Sequence, residues 1–563
     1  MERKRFDILN IFLNKIMFGF FIGLLSLTLN FAFSQNSFAE YKATLSASIS
    51  ESTAAIDGTE IIESSNETTE HEINLKINTT NKTGYTAMIS SKTEETALLN
   101  TNPAINTKIN SISSTYSLAN FPANTWGYRF DDDVDFSPIP AQSAPVNLIK
   151  TTEKSTEEEN HNIKLGMKLN SSLKPGNYEN RLIVSVVSNP YTPKAVMDSG
   201  YEFNMMINAL LRNETVEMKH FKKGLIAPAS TMNVKNIENR DSDYEIKLWA
   251  DPVTESVYYY ADSGEIYLNE DSSSMFGSVD WWNKIGNFMD IDLSGFNTSK
   301  VTNMENMFRN MSNLTTLNLS NFNTSQVTSM SHMFHDMSNL TTLNLSNFNT
   351  SNVTSMDYMF YGMSNLTILN LSIFDTSMVT SMNAMFYGMS NLAALNLSNF
   401  DTSKVTSMFN MFSGMTNLTS LNLSNFDTSN VTSMGGMFYD LLNLATLDLS
   451  NFDTSKVTDM SYMFYGMNNL IALDISNFNT SKVTNITHMF STGIAGPSSE
   501  KLERIYVNQD FDVSKLTSVQ GAFIGRYKLR GGNGSYLSYP ATADLTWLRV
   551  DRPGVQGYFT KKA

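Results

Sequence analysis

The stretch "MSNLTTLNLSNFNTSQVTSMSHMF", Met311 to Phe334, decides how this chain is read. It returns almost unchanged as "MSNLTTLNLSNFNTSNVTSMDYMF" from Met337 to Phe360. The closing "MF" pair begins at Met307, Met333, Met359, Met385, Met411, Met437, Met463 and Met489, a period of 26 residues (333 − 307). A fixed period in this range points to a solenoid, in which each unit buries its apolar face only against its neighbours. Uniform coils are what such stacking requires.

Within one unit, Leu314, Leu317 and Leu319 fit the strand half of a leucine-rich repeat, and Phe322 follows in a column that is Phe from Phe296 to Phe478. That column reads as a stacked aromatic spine. "NTS" or "DTS" then forms a turn. Val327, Met330, Met333, Phe334 and Met337 recur at three- and four-residue steps, which predicts a short helix with Thr324 or Ser325 as N-cap. The column of Asn310, Asp336, Gly362, Gly388, Gly414, Asp440 and Gly466 reads as its left-handed C-cap. Ile266, Leu268 and Met275 mark an irregular first coil, and Leu502 to Phe523 a degenerate last one.

Working outward, the chain divides into an N-terminal signal segment (1–39), a β-sandwich (40–189), a linker region (190–243), the repeats (244–527) and a C-terminal cap (528–563). The sandwich reading rests on "HEINLKINTTNKTGYTAMIS" and "IKLGMKLNSSLKPGNYENRLIVSVVSN", which alternate apolar and polar residues around turns and predict hairpins. The signal reading rests on Arg3, Lys4, Arg5 and Lys15 ahead of the apolar run Ile16 to Phe33, with "SFA" ending at Ala39. An uncleaved anchor is the alternative. The expected fold class is therefore mixed: an all-β sandwich followed by a leucine-rich-repeat solenoid built of a parallel sheet and short helices.

The unit "SNFDTSKVTSMxxMFxGMxNLTxLNLS" resembles the repeat of BspA-like bacterial leucine-rich-repeat surface proteins, as do the flanking "YYYADSGEIYLNEDSSSMF" and "LRGGNGSY…GVQGYFT". The resemblance covers Tyr244 to Thr560 and implies an exported bacterial protein, secreted or cell-surface, that binds other proteins or cells. It transfers no catalytic residue.

Composition narrows the chemistry. The 563 residues carry a net charge of −15 and no cysteine. An acidic chain argues against nucleic acid and anionic membrane as partners, and the lack of thiols excludes disulfides and thiolate metal sites. His71-Glu72 lacks a second zinc ligand, "DDDVD" (Asp131 to Asp135) lacks the Gly and Glu of an EF-hand, and His332 and His335 read as variable solvent-facing positions. A non-EF calcium site at Asp131–Asp135 is left open. No cofactor or metal is expected, and no constellation of titratable groups points to an enzyme. A glycan-active enzyme in the N-terminal domain is the minor alternative.

Two surfaces remain as binding candidates. One is the strand-face column Asn318, Asn344, Asn370, Asn396, Asn422, Asp448 and Asp474; the other is the tyrosine row Tyr361, Tyr387, Tyr439 and Tyr465. Between Val301 and Ile494 there are 4 basic and 11 acidic residues, so these surfaces are polar but weakly charged. The expected function is adhesion to a protein or glycan on another cell or matrix, with a non-adhesive envelope spacer as the alternative. Oligomeric state is left open.

Overall fold

The computed structural model describes residues 3–8, 43–52, 67–278, 284–492, 500–517 and 519–563. The chain forms two compact units, Met1–Pro193 and Lys194–Ala563. The apolar run Ile16 to Phe33 and Ala39 lie outside the described residues. Among the described residues no helix is long and apolar enough to cross a membrane.

The described residues of the first unit form two sheets. One has the order Arg3–Ile8, Leu182–Ser188, Tyr85–Ser91, Val146–Lys150; the other runs Tyr178–Glu179, Leu98–Asn100, Lys108–Ser111, Thr125–Phe130, Glu159–Leu169, Glu67–Thr79, Leu45–Ile49. Period-two alternation sends Ile73, Leu75 and Ile77 of one sheet and Tyr85, Ala87 and Ile89 of the other into a single core, all 0% exposed. The two expected hairpins are not hairpins. Glu67–Thr79 and Tyr85–Ser91 sit in different sheets, as do Glu159–Leu169 and Leu182–Ser188. The chain crosses between sheets at Asn81, whose buried amide donates to the Gly84 and Asn189 carbonyls at 2.7 and 2.9 Å. Gly84 turns there at φ +74° with Thr151 packed where a Cβ would sit.

Residues 194–243, expected as a linker, belong to the second unit. Ser199 caps the helix Gly200–Arg212 by accepting from Glu202 N, and Phe203, Ile207, Leu210 and Leu211 on one face join the core that runs on through the repeats. His220–Lys223 lies inside a five-stranded sheet between Ser256–Tyr260 and Asp290–Ile291.

The repeats stack coil on coil, but not as the expected parallel-sheet solenoid with short helices. Gly200–Arg212 is the one α-helix among the described residues, and the "LNL" segments form no continuous ladder. The chain is mostly β, in several separate sheets. The reason lies in the backbone donors. An α-helix would send each N–H to the carbonyl four residues back. Here alternate N–H groups leave the coil: Met330, His332, Phe334 and Asp336 donate to Ser355, Asp357, Met359 and Tyr361 of the next coil at 2.7–3.3 Å. Met333 and His335 instead close tight turns onto Met330 and His332. Two residues per coil take left-handed backbone: His332 and Asp336 at φ 56°, Tyr358 at 55° and Gly362 at 71°. The column read as a C-cap is thus left-handed as expected, yet it ends a turn.

Three side-chain ladders complete the stack. Thr324, 1% exposed, donates its hydroxyl to Asn349 O and accepts from Asn349 N at 2.8 and 2.7 Å; it staples two coils and caps no helix. The Asn347 amide donates back to Leu319 O and Phe322 O. Phe334 stacks between Phe308 and Phe360 with centroids 6.0 and 5.9 Å apart, and this column continues through Phe490 to Phe523. The Phe296–Phe478 column is buried but lies tilted against that spine, as Phe322 does at 39° to Phe308. Methionines at Met304, Met307 and Met311 and their copies fill the remaining core at 0% exposure.

The ends are closed differently. Phe276 stacks on Phe308 at one end. At the other, Ala472–Asp474, Arg504–Val507 and Phe559–Lys561 make a three-stranded parallel sheet. Buried Arg526 donates to the Phe464, Met467 and Phe490 carbonyls beside Glu500.

Candidate functional site

The strand-side column is exposed from Asn318 to Asp448, while Asp474 is half-buried. Each residue folds its Oδ1 back to accept from the N–H two residues on (Ser320 for Asn318, Ser450 for Asp448, Ser476 for Asp474) at 2.9–3.1 Å. This Asx turn is what an Asn or Asp does best at a corner. It leaves the amide N–H₂ of Asn318, Asn344, Asn370, Asn396 and Asn422 directed outward as a row of donors. Asp448 presents a carboxylate oxygen, and Asp474 is taken by Lys562 at 2.6 Å.

A second Asx column runs parallel: "NTS" and "DTS" form the expected turns through their Asx side chains, and their remaining polar atoms make a surface that the sequence reading did not single out. Asn297, Asn323, Asn349, Asp375, Asp401, Asp427, Asp453 and Asn479 occupy it, and the six from Asn323 to Asp453 accept from the Ser N–H two residues on at 2.8–3.0 Å. Hydrogen bonds from Ser377, Ser403 and Ser455 hold the Asp375, Asp401 and Asp453 carboxyls below the usual carboxylate range. The column is neutral in its first three coils and anionic in the next four. The change from Asn to Asp at Asp375 was there to be read.

The tyrosine row is a stack, not a set of free faces. Tyr361 packs on Tyr387 at 4.4 Å and 6°, Tyr439 on Tyr465 at 4.5 Å and 4°. Ser413 separates the two pairs. The row extends where the sequence reading had put solvent: His335, 8% exposed, stacks on Tyr361 at 4.3 Å, and His332 on Tyr358 at 4.5 Å. Burial, with Arg309 and His335 adding to it, pushes the His332 imidazole down to about 4. Burial pushes the Tyr439 phenol up to about 12 and raises the Asp440 carboxyl. These rings spend their faces on neighbouring coils, and only their edges and hydroxyls reach outward.

Among the described residues no group of three His, Asp or Glu side chains is arranged to hold a metal ion. Asp131 spends both oxygens on the protein, accepting from Asn162 N at 2.7 Å and meeting His161 Nδ1 at 2.8 Å. His161 also approaches Glu159, which accepts from the Tyr85 hydroxyl, so this cluster is internally paired. His71 pairs with Glu51 at 2.6 Å.

What distinguishes the second unit is repetition. Residues 270–388, 362–446 and 441–536 match the family described as Mycoplasma protein of unknown function, DUF285. The DUF285 match covers the coil stack and is compatible with a BspA-like repeat protein. No curated protein and no solved structure matches the chain.

Proposed function

We propose that the chain is an exported or cell-surface protein whose coil stack is a contact surface for a protein or glycan on another cell or matrix. The observation that carries this is the pair of exposed Asx columns. Each coil uses one oxygen per residue for its own turn and leaves a polar group facing water, the same amide in the five coils from Asn318 to Asn422, so a regular partner meets a similar weak contact in successive coils. Such contacts gain through effective concentration rather than through one strong site. The rival reading is a spacer, favoured by the fact that the same Asx bonds suffice to close the turns.

Full-length protein would be titrated onto intact cells and matrix-coated surfaces. The test variant carries Asn344, Asn370, Asn396 and Asn422 changed to Asp, which keeps the turn, as Asp448 does, and removes the outward amides. Binding at micromolar concentration that falls at least tenfold in the variant is expected. No binding by the unaltered chain overturns the adhesive reading in favour of the spacer. Equal binding by the variant overturns the choice of this column.

A further inference from the structure

One coil breaks three polar columns at once. Position 368 is Ile where the first coil carries Asp290 and the others Thr, Ala or Ser; position 373 is Ile in a column that begins at Gly295 and is otherwise Asn321, Asn347, Asn399, Asn425, Asn451 and Asn477; position 378 is Met where the others carry Lys, Gln or Asn. All three are at the surface: Ile368 is 76% exposed, Ile373 46% and Met378 42%. Ile373 also works against the stack. Asn347 and Asn399, the same column one coil to either side, each donate to two carbonyls of the coil before them. Ile373 cannot, so Leu345 O and Phe348 O go without that amide. A residue that forfeits two hydrogen bonds to place an aliphatic group in water breaks a local rule for no gain in folding, which is the mark of a functional position.

We infer that this coil is the centre of a surface on which a second copy of the chain docks, antiparallel, about a two-fold axis through Ile373 and Met378. Three observations point to a second copy. First, a two-fold contact is self-complementary, so apolar residues on the axis meet their own counterparts. Second, the coil is the fourth of eight, and antiparallel pairing about it sets the fifth coil against the third, the sixth against the second and the seventh against the first. Asp401, Asp427 and Asp453 then face Asn349, Asn323 and Asn297 of the second copy, so in this column no carboxylate meets another away from the axis, and in the neighbouring column one pair does, Asp448 with Asp292 at the ends of the overlap. A parallel pairing would set Asp against Asp in four coils. Third, the pair that meets on the axis, Asp375 with its counterpart, has a cation nearby: the Lys404 ammonium rests 3.1 Å from Met378 Sδ in the adjoining coil.

The overlap spans seven coils, about 34 Å at roughly 4.8 Å per coil. With so few apolar residues the contact belongs to the weak, reversible class of interfaces, with micromolar association expected.

The test is the oligomeric state of the full chain by sedimentation velocity across ~1–200 μM, concentrations bracketing a micromolar equilibrium. A concentration-dependent dimer is expected. Ile373→Asn with Met378→Asn restores the residues of neighbouring coils, so it preserves the fold, and it should weaken dimerisation at least tenfold while raising the thermal midpoint. Asn349→Asp keeps its Asx turn and puts a carboxylate opposite Asp401; it should also weaken the dimer, and more so at low salt. A chain that stays monomeric throughout overturns the inference, as does a dimer indifferent to the double variant. A dimer lost in the double variant but unchanged by Asn349→Asp overturns the antiparallel register.

Discussion

The Asn425 side-chain amide donates to Phe400 O at 2.7 Å and to Leu397 O at 2.9 Å, joining one coil to the coil before it. Phe400 N also donates to Leu397 O, so the Asn425 amide adds a second bond to that carbonyl and supplies the one to Phe400 O. Asn425→Ala should therefore lower stability by about 1–2 kcal/mol, the usual consequence of removing a buried donor from its acceptors. Asn425→Asp should do worse, since a carboxylate has no proton to offer and would face two carbonyl oxygens. Urea midpoints of the full chain, followed by tyrosine fluorescence, check the order native, Ala, Asp.

His332 makes acid a specific stress on the stack. Its imidazole titrates at about 4 in the folded chain against 6.5 when unfolded. The unfolded chain thus binds the proton first as pH falls, and the folded state loses stability between pH 6.5 and 4. His332→Asn suits the left-handed backbone at this position, as Asn410 does in its own coil at φ 55°. The variant should lose less of its thermal midpoint between pH 7 and pH 4.5 than the unaltered chain. Equal losses would remove His332 as the source.

Arg526 and Glu500, both buried, sit 3.8 Å apart at the closing end of the stack. Burial brings the guanidinium down to about 10, while Glu500 pulls the other way. Arg526→Met removes the buried counter-charge of Glu500, whose oxygens still accept from Leu502 N and Lys528 N, and opens three coil carbonyls, with an expected loss of about 3–5 kcal/mol. Adding Glu500→Gln should recover part of that loss, because the uncompensated charge is gone. Hydrogen exchange should report the weakening first in the last coils, around Phe464 and Phe490, and least around Phe308.

The columns of Leu, Met and Phe were legible because burial obeys the 26-residue period whatever the backbone does between. Helix against turn was not. Met330, Met333, Phe334 and Met337 face one side in either geometry, and the deciding fact is that His332 N–H goes to Asp357, 25 residues on. Local propensity carries no trace of a bond that long. The left-handed residues divide the same way: Gly, Asn and Asp gave away the Asp336 column, while His332, Tyr358 and Ala384, at φ 47–56°, hid the other. In the first unit, a strand–turn–strand pattern cannot tell a hairpin from a chain passing between two sheets, since Gly84 and the buried Asn81 serve both. Of the candidate surface, the Asn318 column was legible from alternation, but the tyrosine row was read as accessible because sequence shows spacing and not which ring covers which.

Every bond that joins one regular coil to the next spans close to one unit of sequence, as Thr328 does to Thr302 and Asn347 to Phe322. Removing or duplicating one unit leaves each remaining group with an equivalent neighbour, apart from the two specialised ends. The stack is thus tolerant of changes in its own length, and unequal crossing-over between its near-identical segments would yield foldable proteins directly. The length of the stack can then vary in steps of one coil.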